Sequence, residues 1–338
     1  MADDSAPQWS FVLKALHHAS SGHRFWRSSD ESVDPMYWRR EALFYETDLL
    51  ADADADVRAP HCYSVDWRDD GTCHLWLEDV TGEPASEWPL SRFNVAARHL
   101  GRTQAQMRPD PDARLPEWFS RQWLRSYVER RAVDFLPLPP ALWRHPLIER
   151  SYPADLTDYV QGQWAQRRRT LDVLESLPQT VCHHDVWPRN LFADDSGDVV
   201  QTVMIDWSFV GLGAIGEDIG NFIPDSMLDM FVDSRVHGRE LAETIFDGYV
   251  EGLRDGGWDR DPAEVRYAMT ATAALKYAWV VPRMLLQAGD AESLADMEES
   301  LGTPIEDIYA RRAATAMLLS EFAEEARELR ATLWPDRS

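Results

Sequence analysis

The side chains that could do chemistry are concentrated between Cys182 and Trp207. Asp185 and Asn190 lie five residues apart, and Asp206 follows sixteen residues after Asn190. A carboxylate can position or deprotonate an attacking hydroxyl, and carboxylate and amide oxygens are the ligands that Mg²⁺ prefers. Phosphoryl transfer needs these groups together with a cation beside the phosphates. The spacing therefore predicts a phosphoryl-transfer site in which Asp185 faces the acceptor.

A β-hairpin would bring the two metal-binding candidates together. Residues 191–193 and 199–205 are β-prone, and residues 194–198 have the composition of a turn. Asn190 and Asp206 then lie at the open end of this hairpin, where both side chains can reach one ion.

The cation is expected on an N-terminal strand. Lysine occurs only at Lys14 and Lys276, in a chain with 34 lysines and arginines. Residues 9–14 alternate with a period of two, which predicts a strand that carries Lys14. Residues 34–50 begin with Asp-Pro and predict a helix. Glu41 on that helix could point toward Lys14, although a solvated helical glutamate explains it equally well.

The remaining elements predict an α+β fold with two lobes. Residues 62–66 and 73–77 flank a turn and form a hairpin in which Cys62 and Cys73 face different partners. A small lobe of residues 1–82 would precede a mainly helical lobe of residues 83–338. Further helices are predicted at residues 118–132, 155–177 and 271–286, the last of them buried.

Composition excludes several classes of protein. An apolar fraction of 44% and fifteen tryptophans indicate a globular chain, and a formal charge of −24 argues against a nucleic-acid partner. Residues 1–5 are acidic, unlike the start of a secretory signal, and the most apolar run (residues 271–287) is broken by charges and a proline. With three cysteines, these features predict a cytoplasmic protein without a membrane partner.

The catalytic stretch resembles a known signature. His183-x-Asp185-x-x-x-x-Asn190, followed by Ile205-Asp206-Trp207, is similar to the motif of the aminoglycoside phosphotransferase and choline kinase superfamily. The resemblance implies a protein-kinase-like fold of two lobes, with ATP or another nucleoside triphosphate and Mg²⁺ as cofactors. It also implies that Asp185 is the catalytic base and that Asn190 and Asp206 hold Mg²⁺.

The resemblance extends to the nucleotide side of the expected site. Residues 12–14 resemble the strand whose lysine, here Lys14, reaches the phosphates, and residues 40–42 resemble the helix whose glutamate, here Glu41, pairs with it. Residues 76–80 resemble the hinge, so the backbone of Glu78 and Val80 is expected to hold the adenine.

Two further residues are expected to support the catalytic loop. The resemblance implies that His183 anchors the loop through hydrogen bonds and that Asp218 braces it. A zinc site built on His183 and His184 is a poor alternative, because no other His or Cys recurs nearby at ligand spacing.

One departure from the family pattern concerns the cover of the phosphates. Two strands and a glycine-rich turn normally precede the lysine strand, but only thirteen residues, none of them glycine, precede Lys14. We expect one of three explanations: the sequence starts too late, the small lobe lacks these strands, or another loop covers the phosphates. Residues 20–22 (Ser-Ser-Gly) are the nearby candidate.

The expected function is ATP-dependent phosphorylation of a hydroxyl on a small molecule, such as an aminoglycoside, an amino alcohol or a sugar. Asp225, Asp229, Trp279 and Trp207 could favour a cationic acceptor. The same residues could equally be cap, surface and core positions. The alternative hypothesis is a catalytically weak kinase-like protein that only binds a nucleotide or ligand.

Overall fold

The computed structural model describes residues 9–19, 27–50, 56–110, 114–136, 138–197 and 200–335. The strands are β1 (Phe11–Leu16), β2 (Val57–Arg58), β3 (Cys62–Trp67), β4 (Cys73–Glu78), β5 (Glu83–Pro84), β6 (Gln179–Cys182), β7 (Leu191–Asp194), β8 (Gln201–Met204) and β9 (Gly211–Ala214). The helices are α1 (Arg40–Tyr45), α2 (Leu90–Gln106), α3 (Trp123–Arg130), α4 (Pro146–Ser151), α5 (Leu156–Ser176), α6 (Glu217–Leu228), α7 (Ser234–Asp255), α8 (Pro262–Lys276), α9 (Val280–Gln287), α10 (Ala291–Leu301) and α11 (Ile305–Leu333).

A three-stranded antiparallel sheet of order β1-β4-β3 forms the small N-terminal part. Lys14 pairs with Leu75, and the buried side chain of Leu75 marks the inner face of the sheet. Because side chains alternate along a strand, Lys14 shares that inner face, whereas the ring of Phe11 contacts that of Trp76 on the outer face, with ring centres 4.9 Å apart. The alternation predicted for β1 is therefore confirmed.

The helix expected over residues 34–50 is much shorter than predicted, because α1 begins only at Arg40. The Asp34 carboxylate does accept a hydrogen bond from the Met36 N–H at 2.8 Å, as a capping residue would. However, the buried guanidinium of Arg40 donates hydrogen bonds to the carbonyl oxygens of Ser32, Asp34 and Pro35. In a helix that began at Asp34, the carbonyl oxygens of Asp34 and Pro35 would accept helical N–H groups, so Arg40 stabilises a turn instead.

The predicted hairpin is formed by β7 and β8, with Leu191 opposite Met204 at its open end. It is the centre of a four-stranded sheet of order β2-β8-β7-β5. Of the two outer strands, β2 precedes β3 in the chain and β5 follows β4. The β3–β4 pair of the small sheet is therefore flanked in sequence by two strands that hydrogen-bond to the catalytic hairpin. The division of the chain at residue 82 stays a prediction.

The helical part contains a large apolar core and a smaller one, and α6, α8 and α11 contribute many of its buried residues. The single helix predicted over residues 271–286 is wrong, because α8 ends at Lys276 and α9 begins at Val280. Pro282 has no N–H for an interior helical bond, but it is tolerated in the first turn of a new helix. The interruption puts the side chains of residues 276–279 beside the catalytic loop and the cavity described below.

Two smaller predictions can be compared directly. Cys62 and Cys73 are free, and they face Leu77 and Trp67 across β4 and β3, as expected. Within the described ranges, every helix is too short or too polar to cross a bilayer.

Candidate active site

The catalytic loop runs from the end of β6 to the start of β7 and is held by one buried carboxylate. Asp218, near the start of α6, accepts the backbone N–H groups of His183 and His184, each at 2.8 Å. Gln104 donates a third hydrogen bond to the same carboxylate, also at 2.8 Å. His184 has a φ of 65°, a left-handed conformation that is uncommon for a residue with a side chain. Asp218 thus fixes the turn that presents Asp185.

The ring of His183 links the catalytic loop to the end of the hairpin. Its Nδ1 accepts the Asp185 N–H at 3.2 Å, and its Nε2 lies 3.0 Å from the carbonyl oxygen of Ile205. Since the first partner only donates and the second only accepts, the ring must carry its proton on Nε2. Burial lowers the pKa of His183, which favours this neutral form.

Asp185 and Asn190 are brought together as their spacing predicts. The Asn190 Nδ2 donates to the Asp185 carbonyl oxygen and to its Oδ2, each at 3.0 Å. Burial raises the pKa of Asp185, while the positive charge of Lys276 opposes the change. A carboxylate with a raised pKa is a stronger base, and it stays ionised at neutral pH when the rise is modest.

The lysine of β1 reaches two carboxylates. The Lys14 Nζ lies 2.6 Å from Glu41 Oε2 and 3.0 Å from Asp206 Oδ1. Burial disfavours the ammonium, but the two carboxylates outweigh burial and raise the pKa of Lys14. Burial likewise works against ionisation of Asp206, yet Lys14 lowers the pKa of that carboxyl. Both groups are therefore charged, and Asp206 adopts a φ of 62° to present its side chain.

The donor atoms at the end of the hairpin fit a magnesium ion. The Asn190 amide nitrogen faces Asp185, which leaves its oxygen as a ligand, and Asp206 has a second carboxylate oxygen besides the one that contacts Lys14. Two hard oxygen donors on a rigid hairpin suit Mg²⁺, which takes its other ligands from phosphate and water.

The residues expected at the hinge lie at the end of β4. The side chain of Glu78 is already engaged, because Arg58 donates two hydrogen bonds to its carboxylate, at 2.6 and 2.8 Å. Its backbone N–H is also engaged, because it donates to the carbonyl oxygen of His61 at 2.8 Å, so the expected contact with a base is left to its carbonyl oxygen. Val80 follows two residues later, and among the described residues its N–H has no hydrogen-bond acceptor. The candidate phosphate cover, residues 20–22, lies outside the described residues.

A cavity of about 690 Å³ opens between α6, α9, α10 and α11. Asp225, Asp229 and Trp279, three of the residues predicted to contact the acceptor, line it. Trp207 does not: it is buried, stacks on Phe44 with ring centroids 4.5 Å apart, and belongs to the core. Burial raises the pKa of Asp225 to about 7, and the nearby ammonium of Lys276 opposes that rise.

The spacing of the motif did not indicate two charged residues that lie near the site. Lys276 is buried, with its Nζ 4.7 Å from the ring centre of Trp123, and it interacts electrostatically with Asp225 and Asp185. Its rarity as one of two lysines was the signal that could have found it. Arg312, on α11, lines the cavity, and nothing in the sequence distinguishes it from the other arginines.

Comparison with known proteins places these features in a family. A family model described as a phosphotransferase enzyme family matches residues 34–264. By sequence, no curated protein matches the chain. A solved amicoumacin kinase in complex with AMP-PNP, Ca²⁺ and Ami is 15% identical, with a TM-score of 0.52 over 88% of this chain and 81% of the other.

Two further solved structures agree with this placement. The microcompartment-associated aminopropanol kinase is 17% identical, with a TM-score of 0.50 over 94% of this chain and 86% of the other. An aminoglycoside phosphotransferase from Alicyclobacillus acidocaldarius is 14% identical, with a TM-score of 0.50 over 88% and 86%. At these identities the likeness shows a shared kinase-like fold.

Proposed function

Because this chain belongs to the phosphotransferase enzyme family, we propose that it transfers the γ-phosphoryl group of ATP to a hydroxyl of a small molecule. The single observation that carries the proposal is the meeting of the candidate groups in one cleft. Asp185 and Asn190 are joined at 3.0 Å, and Lys14 contacts Glu41 and Asp206 at 2.6 and 3.0 Å. These groups come from three distant parts of the chain, and phosphoryl transfer uses all of them.

Each side chain has a role that its surroundings support. Asp185 accepts the proton of the attacking hydroxyl, and Lys14, held by Glu41, contacts the phosphates. Asn190 and Asp206 hold Mg²⁺, which neutralises charge on the phosphates when it is bound. This choice of ion rests on the hard oxygen donors.

The remaining candidates bind the base or hold the loop. The backbone of Glu78 and Val80 contacts adenine at the end of β4. His183 and Asp218 act as positioning residues, because their hydrogen bonds fix the loop that presents Asp185.

The acceptor enters through the cavity beside Asp225. Incubation of the protein with ATP, Mg²⁺ and a panel of small hydroxyl compounds should produce one compound heavier by a single phosphoryl group in mass spectrometry. In parallel, ATP with Mg²⁺ should raise the melting temperature, because ligands that bind only the native state stabilise it. Stabilisation by ATP without turnover of any compound would favour the binding-protein alternative. No stabilisation by any nucleotide would refute the proposal.

A further inference from the structure

The cavity beside Asp225 contains a partly buried guanidinium, that of Arg312, which forms no ion pair with a described residue. Arg312 donates from Nε to the carbonyl oxygen of Leu228 at 3.2 Å. Its Nη1 faces the thioether sulfurs of Met284 and Met297, each at 3.4 Å. Among the described residues, no carboxylate lies within 4 Å of Arg312. A partly buried cation with such weak acceptors is stabilised further when a ligand supplies an anion.

A second arginine adds positive charge at the same wall. Arg283 on α9 lines the cavity, and its only described polar contact is a long hydrogen bond to Gln287 Oε1 at 3.4 Å. Burial lowers the pKa of Arg312, Tyr152 and Asp229 oppose this change, and the positive charge of Arg283 adds to it. Both remain charged at neutral pH, since a guanidinium does not deprotonate in proteins.

Two of the three aspartates that line the cavity have partners, and the third, Asp296, is exposed. Asp229 lies 3.7 Å from the Nε of Arg189. Asp225 accepts a hydrogen bond from the Tyr277 hydroxyl and lies in the field of Lys276. Arg312 and Arg283 are thus cationic side chains of this cavity that form no ion pair with a described carboxylate, although Asp229 acts on Arg312 over a longer distance.

From this arrangement we propose that the acceptor is a small hydroxy acid whose carboxylate pairs with Arg312, assisted by Arg283. The inference rests on the proposed transfer to a hydroxyl, and it adds the anionic class of the acceptor. The terminal Nη1 and Nη2 of Arg312 form a planar pair of donors that matches the two oxygens of a carboxylate. The hydroxyl of the same molecule then points toward Asp185, which interacts electrostatically with Asp225 of the cavity.

The test measures binding and does not depend on turnover. Hydroxy acids of three to six carbons are compared with their primary amides, which keep the hydroxyl and lose the charge, and with phosphate esters of the corresponding polyols. Melting temperature and calorimetric affinity are recorded for the wild type and for Arg312→Met and Arg312→Lys. Arg239→Met, an exposed change on α7, is the matched control.

We expect at least one hydroxy acid to bind the wild type and its amide to bind at least about 30-fold more weakly. Arg312→Met should lose this preference, and Arg312→Lys should retain part of it. Arg239→Met should bind like the wild type. Arg312→Met should still fold, since methionine matches the thioether surroundings, and its stabilisation by ATP with Mg²⁺ should be unchanged.

Equal binding of acids and amides, unchanged acid binding in Arg312→Met, or binding of phosphate esters alone would overturn the hydroxy-acid assignment. Failure of ATP to stabilise the wild type would count instead against the proposed phosphotransferase activity. Binding of hydroxy acids thus tests the acceptor class, and binding of ATP tests the phosphotransferase activity, in one set of measurements.

Discussion

The two lysines of this chain lie at opposite ends of the active site and are held in different ways. Lys14 has two carboxylates within 3.0 Å. Lys276 has none within 4 Å among the described residues, and its Nζ lies 4.7 to 5.3 Å from the ring centres of Trp123, Tyr277 and Tyr127. The nucleotide end is thus built from short ion pairs, and the acceptor end from aromatic rings and longer-range charge. Short ion pairs demand particular residue types at particular spacings, whereas a field from several charges can be arranged in many ways.

The largest expected effect is at Asp185, where the two ends meet. Asp185→Asn should lower kcat by about a thousandfold or more, because the amide cannot accept the proton of the acceptor hydroxyl. ATP affinity should change little, since Lys14 and Asp206 are untouched. Steady-state kinetics and calorimetry on the same preparation separate the two quantities. Retention of near-normal kcat would remove Asp185 from the role of base.

A smaller effect is expected from changing the nucleotide end alone. Lys14→Arg should raise the KM for ATP by about tenfold or more, because a planar guanidinium does not replace a point charge between Glu41 and Asp206. Its acceptor affinity should stay close to that of the wild type. An unchanged KM for ATP would show that Lys14 does not contact the phosphates, and would leave the two ends less distinct than proposed.

The smallest effect is expected from changing Asp225, a buried carboxyl group at the acceptor end. The pKa of Asp225 is raised to about 7 by burial, so the native state binds this proton more tightly than the unfolded state. Its contribution to stability is therefore present below pH 4 and is lost as the pH rises to about 7. Asp225→Asn should abolish this loss and be more stable than the wild type near pH 8, by about 1–2 kcal/mol.

Urea unfolding at pH 4 and pH 8 measures this difference. Asp233→Asn provides a control of opposite sign, because a hydrogen bond from Arg235 lowers the pKa of Asp233. That carboxylate stabilises the native state at high pH and loses its contribution as the pH falls. Equal pH dependence of Asp225→Asn and the wild type would contradict the buried-carboxyl interpretation.

The same contrast explains what the sequence could predict. Asp185, Asn190 and Asp206 were predicted to meet because their positions follow from one loop and one hairpin, whose geometry is local. The pairing of Lys14 with Glu41 followed from the alternation in β1 and from the family resemblance. These contacts need only short-range rules of strand and turn geometry.

The acceptor wall could not be predicted in this way. Arg312 contributes to the cavity only because α11 packs against α6 and α9, and no spacing relates it to the catalytic loop. The late start of α1 was missed for a similar reason, since Arg40 competes for carbonyl oxygens through a side chain that propensity does not describe. The boundary between α8 and α9 depended on whether Pro282 lay in a helix interior or in a first turn.

The sheet that joins the two parts of the molecule restricts how they can move. Arg58 binds Glu78 at the end of the small sheet and Asp194 on the catalytic hairpin, while β2 and β5 extend that hairpin on both sides. If the small sheet rotated, β2 and β5 would stay paired with the catalytic hairpin. The backbone would therefore have to bend near residues 59–61 and 79–82. The distance between Lys14 Nζ and Asp206 Oδ1, which is 3.0 Å here, would then increase or decrease with that movement.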